Sequence, residues 1–80
     1  MTSAQALERM QDIFRDVLDV DDIVLTTATT ADDIEEWDSL SHINLVVALE
    51  QDFGLKFALG ELQTLKNVGD MAELIVKKLG

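Results

Sequence analysis

One histidine, His42, stands beside two serines, Ser39 and Ser41, and the chain has no cysteine or tyrosine. Nucleophilic catalysis would have to pair one of those serines with His42. Ser39 and His42 are three residues apart, close enough to meet on one helix face. No third group that would orient the imidazole is apparent, and no oxyanion pocket. A boundary histidine next to an ordinary helix-start serine accounts for the pattern, and no enzyme is expected. A calcium loop is tested by position. Asp19 and Asp21 open as such a loop does. The next ligand position holds Ile23, Val24 stands where the turn glycine belongs, and Thr30 replaces the closing glutamate. No metal ligands are expected, and the acids read as a solvated electronegative surface.

Asp38-Ser39-Leu40 offers a different chemistry. Aspartate is a good N-cap, and a serine directly after it occupies the first helical position. Its hydroxyl points outward beside backbone N–H groups that have no helical partner. A phosphodiester placed there meets the positive end of the helix dipole. This serine could therefore carry a phosphate-linked group, although the tripeptide by itself is common.

The elements that would position Ser39 are mostly helical. Leu7, Met10, Phe14 and Val17 recur at steps of three and four, widened by Ile13 and Leu18, and predict a first helix over residues 3–18. Thr2 followed by Gln5 suits a capping box. A second helix is expected from Asp38 or Ser39 to about Phe53, where Gly54 supplies the left-handed stop. Residues 57–65 read as one short helix carrying Leu62 and Leu65 and weakened by Gly60. Asn67 caps a last helix with Asp70 in its first turn and Lys77 and Lys78 in its last. The apolar stripe of that helix is Val68, Met71, Ala72, Ile75 and Leu79. Residues 19–38 lack helical period, yet Val20, Ile23, Leu25, Ile34 and Trp37 punctuate them. That pattern predicts a long loop packed on the body. A strand at residues 23–25 would have no partner.

The second helix carries two apolar faces. On a wheel, Leu45, Val46, Leu49 and Phe53 fall on one side with His42, the expected core face. Leu40, Ile43 and Val47 fall on another, between Asn44 and Glu50. An amphipathic helix needs only one stripe, so the second either packs on a neighbour or stays exposed as a docking patch. Burial is the commoner fate of such a stripe, and its position beside Ser39 gives docking comparable weight.

Composition limits the rest. Eighty residues make one small domain, 1–80, with neither repeat nor linker. Such a chain buries only about 63% of its unfolded surface. Without cysteine it has neither disulfides nor a thiolate metal site, so dense helix packing must stabilise it. The net charge is −10, and residues 19–38 hold eight acids and no base. Nucleic acid and anionic lipid are disfavoured, and basic protein partners favoured. No run is long enough to span a membrane and no signal core stands at the start, so a cytoplasmic protein is expected.

Residues 37–54 resemble the signature helix of the acyl carrier protein family, which includes the peptidyl and aminoacyl carriers. The family pattern is Asp-Ser-Leu, a hydrophobic helix, Leu-Glu, then Phe. Here it reads Asp38-Ser39-Leu40, Leu45, Leu49-Glu50 and Phe53, with Phe57 after the turn and Asn67-Val68 and Met71 opening the last helix. The resemblance covers the whole chain. It implies an all-α four-helix bundle of three main helices and one short one, with a long loop between helices one and two. It also implies 4′-phosphopantetheine, transferred from coenzyme A to Ser39, whose thiol carries acyl groups as thioesters. Partner contact would fall to Asp38, Leu40, Ile43, Val47 and Glu50. The implied partners are a phosphopantetheinyl transferase and acyl-activating, condensing or acyl-transfer enzymes with basic docking patches, and the carrier is expected to be a monomer. Trp37 stands where the family usually has a small residue. Ser41, Asn44 and Gln51 stand where it often has acids. Those departures point to a dedicated lipid, polyketide or nonribosomal peptide pathway. The alternative is a carrier-fold interaction module that is never modified.

Overall fold

Thr2 starts the first helix by accepting the Gln5 N–H at 3.2 Å, while the Gln5 side chain accepts the Thr2 N–H at 2.9 Å. In the computed structural model the backbone is described over residues 1–80, and every side chain but those of Leu59, Gln63 and Thr64. The elements are α1 (Ser3–Leu18), a 3-10 turn (Ala31–Asp33), α2 (Ser39–Phe53), α3 (Leu59–Thr64) and α4 (Val68–Leu79). The fold is all-α, a bundle of four helices in which α1 packs against both α2 and α4. Both α1 and α2 stop on left-handed residues, Asp19 (φ 55°) and Gly54 (φ 69°). Aspartate tolerates that region better than most side chains, and glycine enters it without steric cost.

The core is one cluster. Ala6, Met10, Phe14 and Leu18 supply the α1 side, so the buried stripe runs in steps of four and is centred a little away from Leu7 and Val17, which are half-buried. Leu45, Leu49 and Phe53 come from α2, and Val68, Met71, Ala72 and Ile75 from α4. Leu79, expected on the α4 stripe, is exposed instead. It is the last residue of the helix, and Val76 packs against the cluster one turn upstream of it. The short α3 is closed by Glu61, which accepts the Ala58 N–H at 2.8 Å and pairs with Lys78 of α4 at 2.7 Å.

The segment between α1 and α2 packs on the body as an irregular chain, with no strand among the described residues. Ile23, Leu25, Ile34 and Trp37 are buried, and Val20 is half-buried. Its backbone is tied to α1 where Arg15 Nε donates to the Ile23 carbonyl at 2.8 Å and Leu25 N–H donates to Gln11 at 2.9 Å. It is tied to α4 where the Thr29 and Thr27 carbonyls accept the Val68 and Gly69 N–H groups at 2.8 and 3.0 Å. The loop thus satisfies orphan donors at the start of α4. That approach is why residue 69 is glycine, since a Cβ there would lie 2.6 Å from the Thr27 carbonyl oxygen. The 3-10 turn was not expected. Its signal is Thr30 and Asp33, whose carboxylate accepts the Thr30 N–H at 2.9 Å.

Candidate functional site

Asp38 N-caps α2. Its carboxylate accepts the Ser41 N–H at 2.8 Å, and its carbonyl accepts the His42 N–H at 2.9 Å. The backbone hydrogen bond from Ser41 holds the Asp38 carboxyl below its usual range. That cap sets Ser39 at the first helical position, where it is exposed. Ser41, the other candidate, is half-buried two residues further on.

Trp37 lies under this turn. It is 7% exposed, its indole meets Phe14 edge-on at 5.0 Å, and it stacks on His42 at 6.0 Å with an 18° interplanar angle. Its Nε1–H donates to His42 Nδ1 at 3.2 Å. His42 is therefore a half-buried, hydrogen-bonded residue at the edge of the core face. Ala31, Trp37, Asp38, Ser39 and His42 line an open cleft of about 390 Å³. A second, smaller hollow of about 110 Å³ continues from Ala31, Trp37 and His42 toward Leu65, Lys66 and Met71. Spacing raised Ser39 with His42. The sequence marks Trp37 as an apolar anchor of the loop but gives no sign of its bond to His42, because a partner that lies outside the helix leaves no periodic trace.

The second stripe of α2 is on the surface. Leu40 is 73% exposed, Ile43 61% and Val47 44%, and all three sit on the turns that follow Ser39. Glu50 departs from a purely solvent-facing rim: it is half-buried, and its carboxylate accepts the Phe57 N–H at 2.8 Å. It therefore stitches α2 to the chain that enters α3. Among the described residues, no three histidine, cysteine or acidic side chains converge as a metal site would require.

The site can accept a phosphate-linked arm. The hydroxyl-bearing residue is exposed at a helix start, an open cleft lies beside it, and an apolar patch follows it. A family model described as a phosphopantetheine attachment site matches residues 8–75. An acyl carrier protein of Thermosynechococcus vestitus is 35% identical over 99% of this chain and 98% of its own length. A polyketide synthase acyl carrier protein of Streptomyces avermitilis is 33% identical over 99% of this chain and 91% of its own. The solution structure of a holo acyl carrier protein from Geobacter metallireducens superposes with a TM-score of 0.88 and 61% identity, covering 92% of this chain and 85% of that one. The chain belongs to the acyl carrier protein family. Its cofactor is covalently attached 4′-phosphopantetheine, and its work is to carry acyl groups on that arm.

Proposed function

We propose that Ser39 is the attachment point and that Asp38, Leu40, Ile43, Val47 and Glu50 form the face presented to partner enzymes. The observation that carries this reading is the exposed Ser39 on the capped first turn of α2, directly before the exposed stripe of that helix. The Ser39 hydroxyl oxygen attacks the pantetheine-side phosphorus of the coenzyme A pyrophosphate. The P–O bond to the second phosphate breaks, adenosine 3′,5′-bisphosphate leaves, and the hydroxyl proton passes to a base of the transferase that catalyses the step. When bound, the arm supplies a thiol that holds the acyl group as a thioester. The protein contributes the handle and the docking face. Basic patches on the transferase and on acyl-processing enzymes suit an acidic carrier of net charge −10. Ser41, Asn44 and Gln51 leave α2 itself short of acids, and the bulky Trp37 lines the cleft beside Ser39. Both features support a carrier dedicated to one lipid, polyketide or nonribosomal peptide pathway.

Incubation with coenzyme A and a promiscuous transferase, followed by whole-protein mass spectrometry, tests the assignment. The parent and Ser41→Ala should gain one phosphopantetheine. Ser39→Ala should gain nothing, and a modified Ser39→Ala protein would sink the reading.

A further inference from the structure

Trp37 and His42 form a pair that attachment alone does not require. Trp37 Nε1–H donates to His42 Nδ1, and a ring nitrogen that accepts a hydrogen bond carries no proton. In this arrangement the imidazole proton sits on Nε2. The indole is itself immobilised, buried and braced edge-on against Phe14. The stacked geometry fixes the plane of the imidazole as well as its tautomer. A half-buried histidine held in this way presents one fixed donor, the Nε2–H.

The location of that donor matters. His42 stands one turn after Ser39, on the same side of α2, and both line the open cleft that also includes Asp38 and Ala31. Side chains of a helix lean toward its N-terminus, so His42 covers the turn that bears Ser39. Asp38 already takes the Ser41 N–H at this helix start. An additional side-chain donor therefore complements a phosphodiester there.

We propose that His42 is a positioning residue for the prosthetic arm: its Nε2–H donates to a phosphodiester oxygen on Ser39, with Trp37 fixing the tautomer that makes the donation possible. This rests on Ser39 being the attachment point. A phosphate held in this way would lie at the cleft that Trp37 and His42 line beside Ser39.

The test uses the full chain before and after loading with coenzyme A and transferase, with mass spectrometry confirming the modification. Imidazole nitrogen and phosphorus NMR resonances are then recorded. On loading, the His42 Nε2 resonance should shift and its proton should become protected from exchange. The phosphorus resonance should move in loaded His42→Leu and stay near the parent in His42→Gln, which keeps an N–H donor. Trp37→Phe, without the indole donor, should show both histidine tautomers and an intermediate phosphorus position. A mass gain in the parent with an Nε2 resonance indifferent to loading overturns the inference alone, whatever the variants do. A phosphorus resonance unchanged by His42→Leu overturns it too. Modification at a residue other than Ser39, or no modification, overturns the attachment reading and this inference with it.

Discussion

At the residue scale, Asp38 does two things at once: it closes the start of α2 and sets the geometry of Ser39. Its carboxyl sits below its ordinary value first because of the Ser41 backbone hydrogen bond. The consequence for stability follows from linkage. A carboxyl with a depressed folded-state pKa stabilises the fold above its unfolded pKa, and that contribution disappears as pH falls through the folded value. Asparagine caps helices about as well as aspartate but cannot ionise. Asp38→Asn should therefore melt below the parent at neutral pH. The gap should begin to close at about pH 5 and go on closing as the pH falls below the ordinary aspartate value of about 3.9. Melting temperatures followed by circular dichroism across that range measure it. A gap that widens toward acid would show that the charge on Asp38 does not support the cap.

At the element scale, the buried face of α2 and its exposed stripe, the proposed docking face, make separable predictions. Leu49 is fully buried, so Leu49→Ala should cost about 2–5 kcal/mol. Ile43→Ala and Val47→Ala, on the exposed stripe, should each change stability by about 0.5 kcal/mol or less. Denaturant melts give these values, and transferase kinetics give the complementary ones: the stripe variants should be loaded more slowly while Leu49→Ala tracks its folded fraction. Large stability losses with normal loading would return the stripe to the core. Because Glu50 also holds the Phe57 N–H, charge reversal there would disturb the turn as well as the surface. Glu50→Gln keeps an acceptor and removes only the charge. It should slow loading at low salt and approach the parent as salt rises. A second element-scale junction lies where the loop meets α4. Gly69→Ala drives a methyl group against the Thr27 carbonyl and should destabilise by about 1–3 kcal/mol in the same melts. A neutral result would mean that the loop yields at no cost. The helices were legible because each carries its own signals: Thr2 with Gln5, Asp38 and Asn67 as caps, and Gly54 as a stop. Ser39 and the exposed stripe were legible for the same reason, as positions on one regular helix. The Trp37–His42 bond, the Glu50–Phe57 bond and the close approach at Gly69 were not. Each joins a helix to irregular chain, where spacing in sequence does not set distance in space.

At the scale of the whole molecule, the bundle must hold a strongly acidic loop against its own repulsion. The accessible surface is 5016 Å², close to the roughly 4,800 Å² that area scaling gives for a folded chain of this mass. The loop is held to the body by its buried Ile23, Leu25, Ile34 and Trp37, and it carries eight acids and no base within twenty residues. Among the described residues the ion pairs are Arg9–Asp52 and Lys78–Glu61, and neither involves residues 19–38. Arg15, the base nearest in sequence, spends its Nε on the Ile23 carbonyl. The buried Ile23, Leu25, Ile34 and Trp37 and the carbonyls of Thr27 and Thr29 hold the loop in place while eight acids push it outward. Salt shortens the range of that push to about 10 Å at about 0.1 M, against about 30 Å at about 0.01 M. Raising sodium chloride between those limits should raise the melting temperature, and each 1 kcal/mol recovered corresponds to about 4–8 °C in a chain of this size. Magnesium should act at lower concentration by its higher charge, without an ordered site. The fourfold variant Asp21→Asn, Asp22→Asn, Glu35→Gln, Glu36→Gln supplies the control, because all four residues are exposed in the loop and the core anchors stay intact. It should melt above the parent at low salt and show a flattened salt response. A parent whose melting is indifferent to sodium chloride and magnesium, or a neutralised loop that melts no higher, would mean that the anchors carry the loop without appreciable repulsion to overcome.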